Sequence, residues 1–260
     1  GAITQLEAAA RAGSWVAFTV AYEAAPAFDQ ALLLSAHDPA PFPYVWGAAF
    51  SSQAEPFNDA RSHGEYHPRW GSAVSRVQYD AAIQAVQSHI TQGESYQVNY
   101  TLPFSAPFQG DALAWWTELA WRQRAGYAAF LDMGRFAILS LSPELFFRTQ
   151  GAFIETRPMK GTAPRGRWLE EDARMAGALA RCPKNRAENV MIVDLLRNDL
   201  GRIASPGSVD PGPLFQVERY PTVWQMTSRV RARLASGAGL FDILAALFPC
   251  GSVTGAPKIR

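Results

Sequence analysis

Between Tyr127 and Arg157 the sequence holds four apolar runs, YAAFLDM, RFAILSL, ELFFRT and AFIETR, parted by short turns that contain Gly134, Pro143 and Gly151. Strand-length runs joined by so few residues leave no room for the crossover helix that a parallel pair requires, so they predict an antiparallel meander. Around it, helical patterns group together instead of alternating with strands. QYDAAIQAVQSHITQG brings Ile83, Val86 and Ile90 to one helical face, and DALAWWTELAWRQRAG, RWLEEDARMAGALARC, NRAENVMIVDLLRNDLG and LFDILAALF read as further helices. TQLEAAARAG reads as a short first helix, with Thr4 and Glu7 at capping-box spacing and Gly13 as its stop. SWVAFTVAYE follows as a strand, and YVWGAAF is able to pair with it, inside a stretch from Phe28 to Trp70 that shows no sustained period. SYQVNYTLPF and LFQVERYPTVWQMTSRVRARL read as extended. Clustered strands and clustered helices make the fold class α+β. With no repeat or linker, residues 1–260 are expected to form one large domain of antiparallel sheets packed between helical layers.

The composition, 48% hydrophobic and 18% charged, fits a globular protein with a sizeable core. No run of about 18 apolar residues spans a bilayer and no charged-then-apolar export signal is present, so the chain reads as cytoplasmic, with no membrane partner. A net charge of +1 with both signs interspersed gives no footprint for nucleic acid. Cys182 and Cys250 lie far apart without C-x-x-C spacing, which argues against a disulfide framework or a zinc knuckle. His63 and His67 are four apart, but Gly64 and Pro68 break the helix that would present both to a metal. The chain opens on Gly1, and its last segment, GSVTGAPKIR, stops where Pro257 would open a new helix, so a C-terminally truncated fragment is expected.

Four short stretches carry residues able to do chemistry. Lys160, in RPMKGTAPRG, follows a strand and precedes Gly161 and Thr162. A lysine is almost wholly protonated at neutral pH, so a nucleophilic one needs burial or a neighbouring cation; taken alone, the tripeptide reads as a solvated loop lysine. Glu144, in SLSPELFF, starts a strand among apolar neighbours, where a carboxyl is either a general acid with a raised pKa or an ordinary strand-start residue. Glu188, in the first turn of NRAENVMIVDLLRNDLG, is either a magnesium ligand or a dipole-stabilised glutamate. GSVTGAPK offers the hydroxyls of Ser252 and Thr254 and the loop around Gly255 to a carboxylate or phosphate. It lacks the Walker spacing, which argues against a nucleotide P-loop.

Together, and in this order, SYQVNYT, SLSPELFF, RPMKGTAPRG, AENVMIVDLLRNDLGRI and GSVTGAPKIR resemble the chorismate-utilising enzymes. The resemblance covers residues 79–260, is looser over 1–78, and lacks the family's C-terminal stretch. It implies an α+β fold of two antiparallel sheets between helical layers, which agrees with the pattern above. It also implies chorismate as substrate, magnesium as cofactor, and ammonia supplied by a glutamine amidotransferase subunit.

Two positions narrow the reaction within the family. Hydroxyl-adding members carry a lysine where this chain has Gln97, and anthranilate-forming members carry alanine where it has Lys160. The resemblance is therefore closest to the aminodeoxychorismate-forming members of the para-aminobenzoate and folate pathway. An anthranilate-forming enzyme is the alternative, and a non-catalytic partner-binding fragment is the alternative of another class. The implied roles are Lys160 as covalent nucleophile, Glu144 as general acid, Glu188 as a magnesium ligand, and Gly161, Thr162, Ser252, Thr254 and Gly255 as substrate-binding residues. Two departures stand out: Asn185 replaces an acidic residue one helical turn before Glu188, and Gln225 stands where many members have histidine.

Overall fold

The structure is a computed structural model that describes residues 1–32, 42–54, 66 and 68–258. His63 and His67 lie outside the described residues. Helix α1 (Ala2–Arg11) precedes the antiparallel pair β1 (Trp15–Val20) and β2 (Val45–Phe50), the hairpin partner expected for SWVAFTVAYE. The start of α1 differs from the sequence expectation. Gly1 is the N-cap, so Thr4 is inside the helix, and Glu7 instead accepts from Arg11 at 2.9 Å and from the backbone N–H of Leu240 at 3.2 Å.

The short strand β3 (Gly71–Ser72) leads to α2 (Arg76–Thr91), whose N-terminus carries a capping box between Ser75 and Gln78. SYQVNYTLPF is not one strand. It yields two short pieces, β4 (Gln97–Val98) and β5 (Phe104–Ser105), the second paired with β3. Asp111 caps α3 (Ala112–Gln123) by accepting from the backbone of Leu113 and Ala114.

The four apolar runs do form four strands: β6 (Tyr127–Asp132), β7 (Ala137–Ser142), β8 (Leu145–Gln150) and β9 (Phe153–Arg157). They pair as two separate hairpins and not as one meander, with β6 against β7 and β8 against β9. Pro143, which lacks an N–H, sits at the break, and the Ser142 hydroxyl takes over the local bonding by accepting from the N–H of Glu144 at 3.2 Å. The free side of β9 is taken by β13 (Val230–Arg233).

Between them in sequence, β10 (Met159–Pro164) leads into α4 (Leu169–Arg181) and α5 (Pro183–Gly201), followed by β11 (Gln216–Arg219) and β12 (Val223–Thr227). Strands order as β10-β12-β11, all antiparallel. Helix α6 (Leu240–Leu247) precedes a 3-10 turn at Gly251–Val253 and β14 (Gly255–Ala256), which pairs with β4. The buried core gathers Ile154, Val230 and Ala232 from the β9–β13 sheet, Ile192, Val193, Leu196 and Leu200 from α5, and Ile243, Ala246 and Leu247 from α6. That core is the floor on which β10, α5 and the loop after α6 meet.

Candidate active site

Lys160 is placed by an irregularity in β10. The pairing with β12 is regular at Met159 opposite Thr227 and again from Thr162 opposite Gln225, with a register shift between them that takes in Lys160 and Gly161. Such a bulge re-aims a side chain out of the pleat. Gly161 makes it possible: its φ is +100°, and a Cβ there would come within 3.0 Å of Asn185 Cβ and 3.2 Å of Leu179 Cδ1. The sequence K-G-T is thus a lysine followed by the residue that turns it off the sheet and against α5.

The half-buried ammonium of Lys160 donates to the backbone carbonyl of Ser252 at 2.8 Å and to Asn99 Oδ1 at 3.4 Å. Asn99 Nδ2 donates to the same carbonyl at 2.5 Å. Ser252 faces the other way with its hydroxyl, which donates to Glu144 Oε1 at 2.7 Å, and the Cys250 thiol lies 3.2 Å from that hydroxyl. One residue therefore joins the two candidate catalytic groups, its carbonyl holding the lysine and its hydroxyl the carboxyl.

Their protonation preferences follow from burial. Desolvation lowers the pKa of Lys160, opposed by the negative charges of Glu144 and Glu188. Desolvation raises that of Glu144, opposed by the Ser252 hydrogen bond and by the Lys160 charge. Ammonium with carboxylate and amine with carboxylic acid contain the same number of protons, and burial of both groups moves the balance toward the neutral pair.

The remaining residues singled out from the sequence divide around this pair. Thr162 Oγ1 donates to Gln225 Oε1 at 3.0 Å, across the β10–β12 ladder. Thr254 uses its hydroxyl on the Cys250 carbonyl at 3.1 Å and its N–H on that of Gly251 at 3.3 Å. Gly255 is buried in the β14–β4 pairing opposite Val98. Thr254 and Gly255, with Gln97, Asn99 and Lys258, line a cavity of about 940 Å³ that reaches the lysine through Asn99. Gln97 Oε1 is buried there with no hydrogen-bond partner among the described residues.

Glu188 and Asn185 sit on α5, the helix against which Gly161 packs. Glu188 is near enough to Lys160 for its charge to act on the amine, and its own neighbour, Lys184, is 3.9 Å away. Among the described residues no three His, Cys, Asp or Glu side chains form a metal cluster. One carboxylate falls short of the several hard oxygens that magnesium requires, so the described residues do not by themselves make a magnesium site.

Sequence reasoning missed Asn99 and the contacts that Ser252 and Cys250 make here. Asn99 had a signal, since asparagine is unfavourable in a strand such as YQVNYT unless its amide has work to do. Ser252 was singled out for its hydroxyl, while the carbonyl contact carries no mark in sequence. Cys250 was weighed only for disulfide and zinc spacing.

The chain as a whole has known relatives. The sequence matches the family described as chorismate binding enzyme over residues 2–260. The chain belongs to that family. It is 45% identical over 191 residues to aminodeoxychorismate synthase component 1 of Klebsiella aerogenes, an alignment covering 74% of this chain and 42% of that protein. To anthranilate synthase component 1 of Aquifex aeolicus it is 37% identical over 191 residues, covering 74% of this chain and 39% of that protein. The crystal structure of anthranilate synthase component I from Streptococcus pneumoniae TIGR4 superposes with a TM-score of 0.83 at 24% identity, covering 95% of this chain and 63% of that one. The likeness confirms the α+β fold expected for the family. The chain spans about two fifths of the length of these two relatives. Among the described residues no helix is long and apolar enough to cross a membrane.

Proposed function

We propose that the protein to which these residues belong is an enzyme that aminates chorismate with ammonia, giving 4-amino-4-deoxychorismate, with Lys160 as covalent nucleophile and Glu144 as general acid. The observation that carries this reading is the meeting of a desolvated lysine and a desolvated carboxyl on the two faces of Ser252. The chemistry requires that pairing. The lone pair of neutral Lys160 forms a bond to C2, the ring π electrons shift, and the C4–O bond breaks. Glu144 delivers its proton to the departing oxygen, which leaves as water, because hydroxide is too poor a leaving group to go unassisted. Ammonia then forms its bond at C4 while the C2–N bond to Lys160 breaks, and the returning proton restores Glu144.

The chain's own residues supply positioning as well as reaction. Asn99 and the Ser252 carbonyl hold the lysine nitrogen from two sides, which fixes the direction of attack. Glu188 offers one carboxylate toward a magnesium ion, whose role when bound would be to anchor the carboxylates of the substrate. A glutamine amidotransferase subunit would supply the ammonia, as the numbered component in the relatives' names fits a protein of more than one part.

The 37% identity to an anthranilate synthase component supports a second reading, in which ammonia itself bonds to C2 as the protonated C4 hydroxyl leaves, without a lysine adduct, and the pyruvyl group is then lost. Product analysis separates the two. Full-length protein incubated with chorismate and ammonium salt is expected to form a product that keeps the enolpyruvyl ether, and trapped enzyme is expected to carry an adduct on Lys160 by peptide mass spectrometry. Released pyruvate would favour the anthranilate reading. An adduct at another residue would remove Lys160 from the mechanism.

A further inference from the structure

We infer that the buried ion pair between Lys258 and Asp199 is a latch that fixes the loop 248–258 against α5, setting Ser252 between Lys160 and Glu144 and making Lys258 and Asp199 positioning residues. The inference rests on the proposed roles of Lys160 and Glu144.

Lys258 Nζ donates to Asp199 Oδ2 at 3.2 Å and to the carbonyl of Ala246 at 3.0 Å. The two side chains are only 11% and 6% exposed. One ammonium thus ties together the last turn of α6, where a cation is favoured, the end of the loop, and the C-terminal part of α5. The same α5 carries Glu188 and lies against Gly161. The start of the loop is seated on that helix too, since a Cβ at Gly251 would fall 2.0 Å from Leu195 Cδ2. Within the loop the hydrogen bonds are local, from Val253 to Cys250 and from Thr254 to Gly251 and Cys250. They shape the turn without placing it. Placement comes from outside the loop: the Asn99 backbone N–H and side-chain amide donate to the carbonyls of Thr254 at 2.7 Å and Ser252 at 2.5 Å, and at the loop's C-terminal end β14 pairs with β4 and Lys258 pairs with Asp199.

A buried ion pair is a poor way to gain stability, because desolvation offsets most of the attraction and apolar replacements of similar volume are often neutral or better. What it provides is a single register. A loop free to slide over α6 and α5 would carry the Ser252 carbonyl away from the lysine and the hydroxyl away from the carboxyl together.

The test uses the full-length protein with the double substitution Lys258→Met and Asp199→Leu, which removes both charges and keeps bulk. The melting temperature is expected to stay near the parent's, while turnover falls about tenfold or more with KM changed by less than about threefold. Independently of turnover, labelling of Lys160 by trinitrobenzenesulfonate, counted by peptide mass spectrometry against the exposed Lys184, is expected to rise about threefold or more as the lysine loses its hold on Ser252. A folded double variant with the parental labelling ratio would overturn the latch. Should that variant fail to fold, Asp199→Asn keeps shape and an acceptor oxygen, and it is expected to move the ratio in the same direction by a smaller factor. A parental ratio there overturns the latch equally. Labelling needs no chorismate, so a protein inactive on chorismate would refute the proposed reaction and still report on the loop.

Discussion

Helix α5 buries Asn189, Ile192, Val193, Leu196, Asp199 and Leu200 among its 19 residues, whereas α2 buries none of its 16. The contrast holds beyond these two helices. All the residues of the main core cluster come from positions 154–247, while α3 buries one alanine and β6 and β7 bury no residue. The site follows the same division. Lys160, Ser252, Glu188 and Lys258 stand on elements seated on the deep core, and Glu144 lies at its edge next to buried Leu145. The shallower half reaches the site through β4 and the residue after it, with Gln97 lining the cavity and Asn99 touching the lysine. Groups whose protonation must be tuned are held by the part that excludes water, and the part that lies open contributes hydrogen bonds to them.

The sharpest way to break this comparison is a matched pair of truncations. Leu196→Ala on α5, at 1% exposure, should cost about 2–5 kcal/mol, since it removes fully packed atoms and leaves a cavity. Ile83→Ala on α2, half-buried, should cost about 1 kcal/mol or less. Denaturant titration of both variants measures the difference directly. Equal losses would mean that α2 is covered as well as α5 is.

A second pair makes the comparison kinetic. Lys160→Ala in the full-length protein should slow turnover by about two orders of magnitude or more, the scale of a lost nucleophile. Asn99→Ala should cost about tenfold, since Asn99 orients the amine and takes no part in bond formation. Steady-state rates with chorismate and ammonia check both. An Asn99 variant as impaired as the Lys160 variant would move the shallower half into the chemistry itself.

The sequence made the two halves unequally legible for the same reason. α5 was visible from its apolar pattern, and Lys160 and Glu144, each ordinary when read alone, stood out once their stretches were taken together and in order. The pairing of the strands was not visible. Four runs in a row predict a meander, whereas β7 and β8 part at Pro143 and β9 takes β13, far along the chain, as its second partner. Non-local pairing leaves no local pattern. The same applies to Glu7, whose spacing to Thr4 marked a local cap while its carboxylate in fact serves Arg11 and Leu240. The Ser252 carbonyl was beyond reach for a simpler reason, since every residue has one.

A third test asks whether burial really sets the protonation of the pair. The proposed reaction requires neutral Lys160 together with protonated Glu144, one of the two arrangements of the singly deprotonated pair, so the parent should give a bell-shaped pH profile. Activity should fall at low pH as the pair gains a proton and at high pH as it loses its last one. Glu144→Gln removes the carboxyl proton and the negative charge that raises the Lys160 pKa. Its reduced turnover should therefore rise with pH along a single limb, with a midpoint below the parent's alkaline limb, and KM should change little. A bell retained in the glutamine variant would show that another group titrates.

The smallest effect expected is on magnesium binding by residues 1–260. Glu188 is the matched carboxylate on α5, Asn185 adds no charge one turn before it, and Lys184 stands 3.9 Å away as a competing cation. Magnesium dehydrates reluctantly and needs several hard oxygens in octahedral array, so residues 1–260 should bind it at roughly millimolar affinity or weaker. Glu188→Gln should then change calorimetric binding by no more than about twofold in this chain, while the same substitution in the full-length protein, assayed with chorismate, should weaken magnesium dependence about tenfold or more. The two results together tie the metal to oxygens beyond those described on α5. Micromolar binding by residues 1–260, abolished by Glu188→Gln, would instead show that this half of the fold completes the ion's shell unaided, and that the deep core supports the whole site.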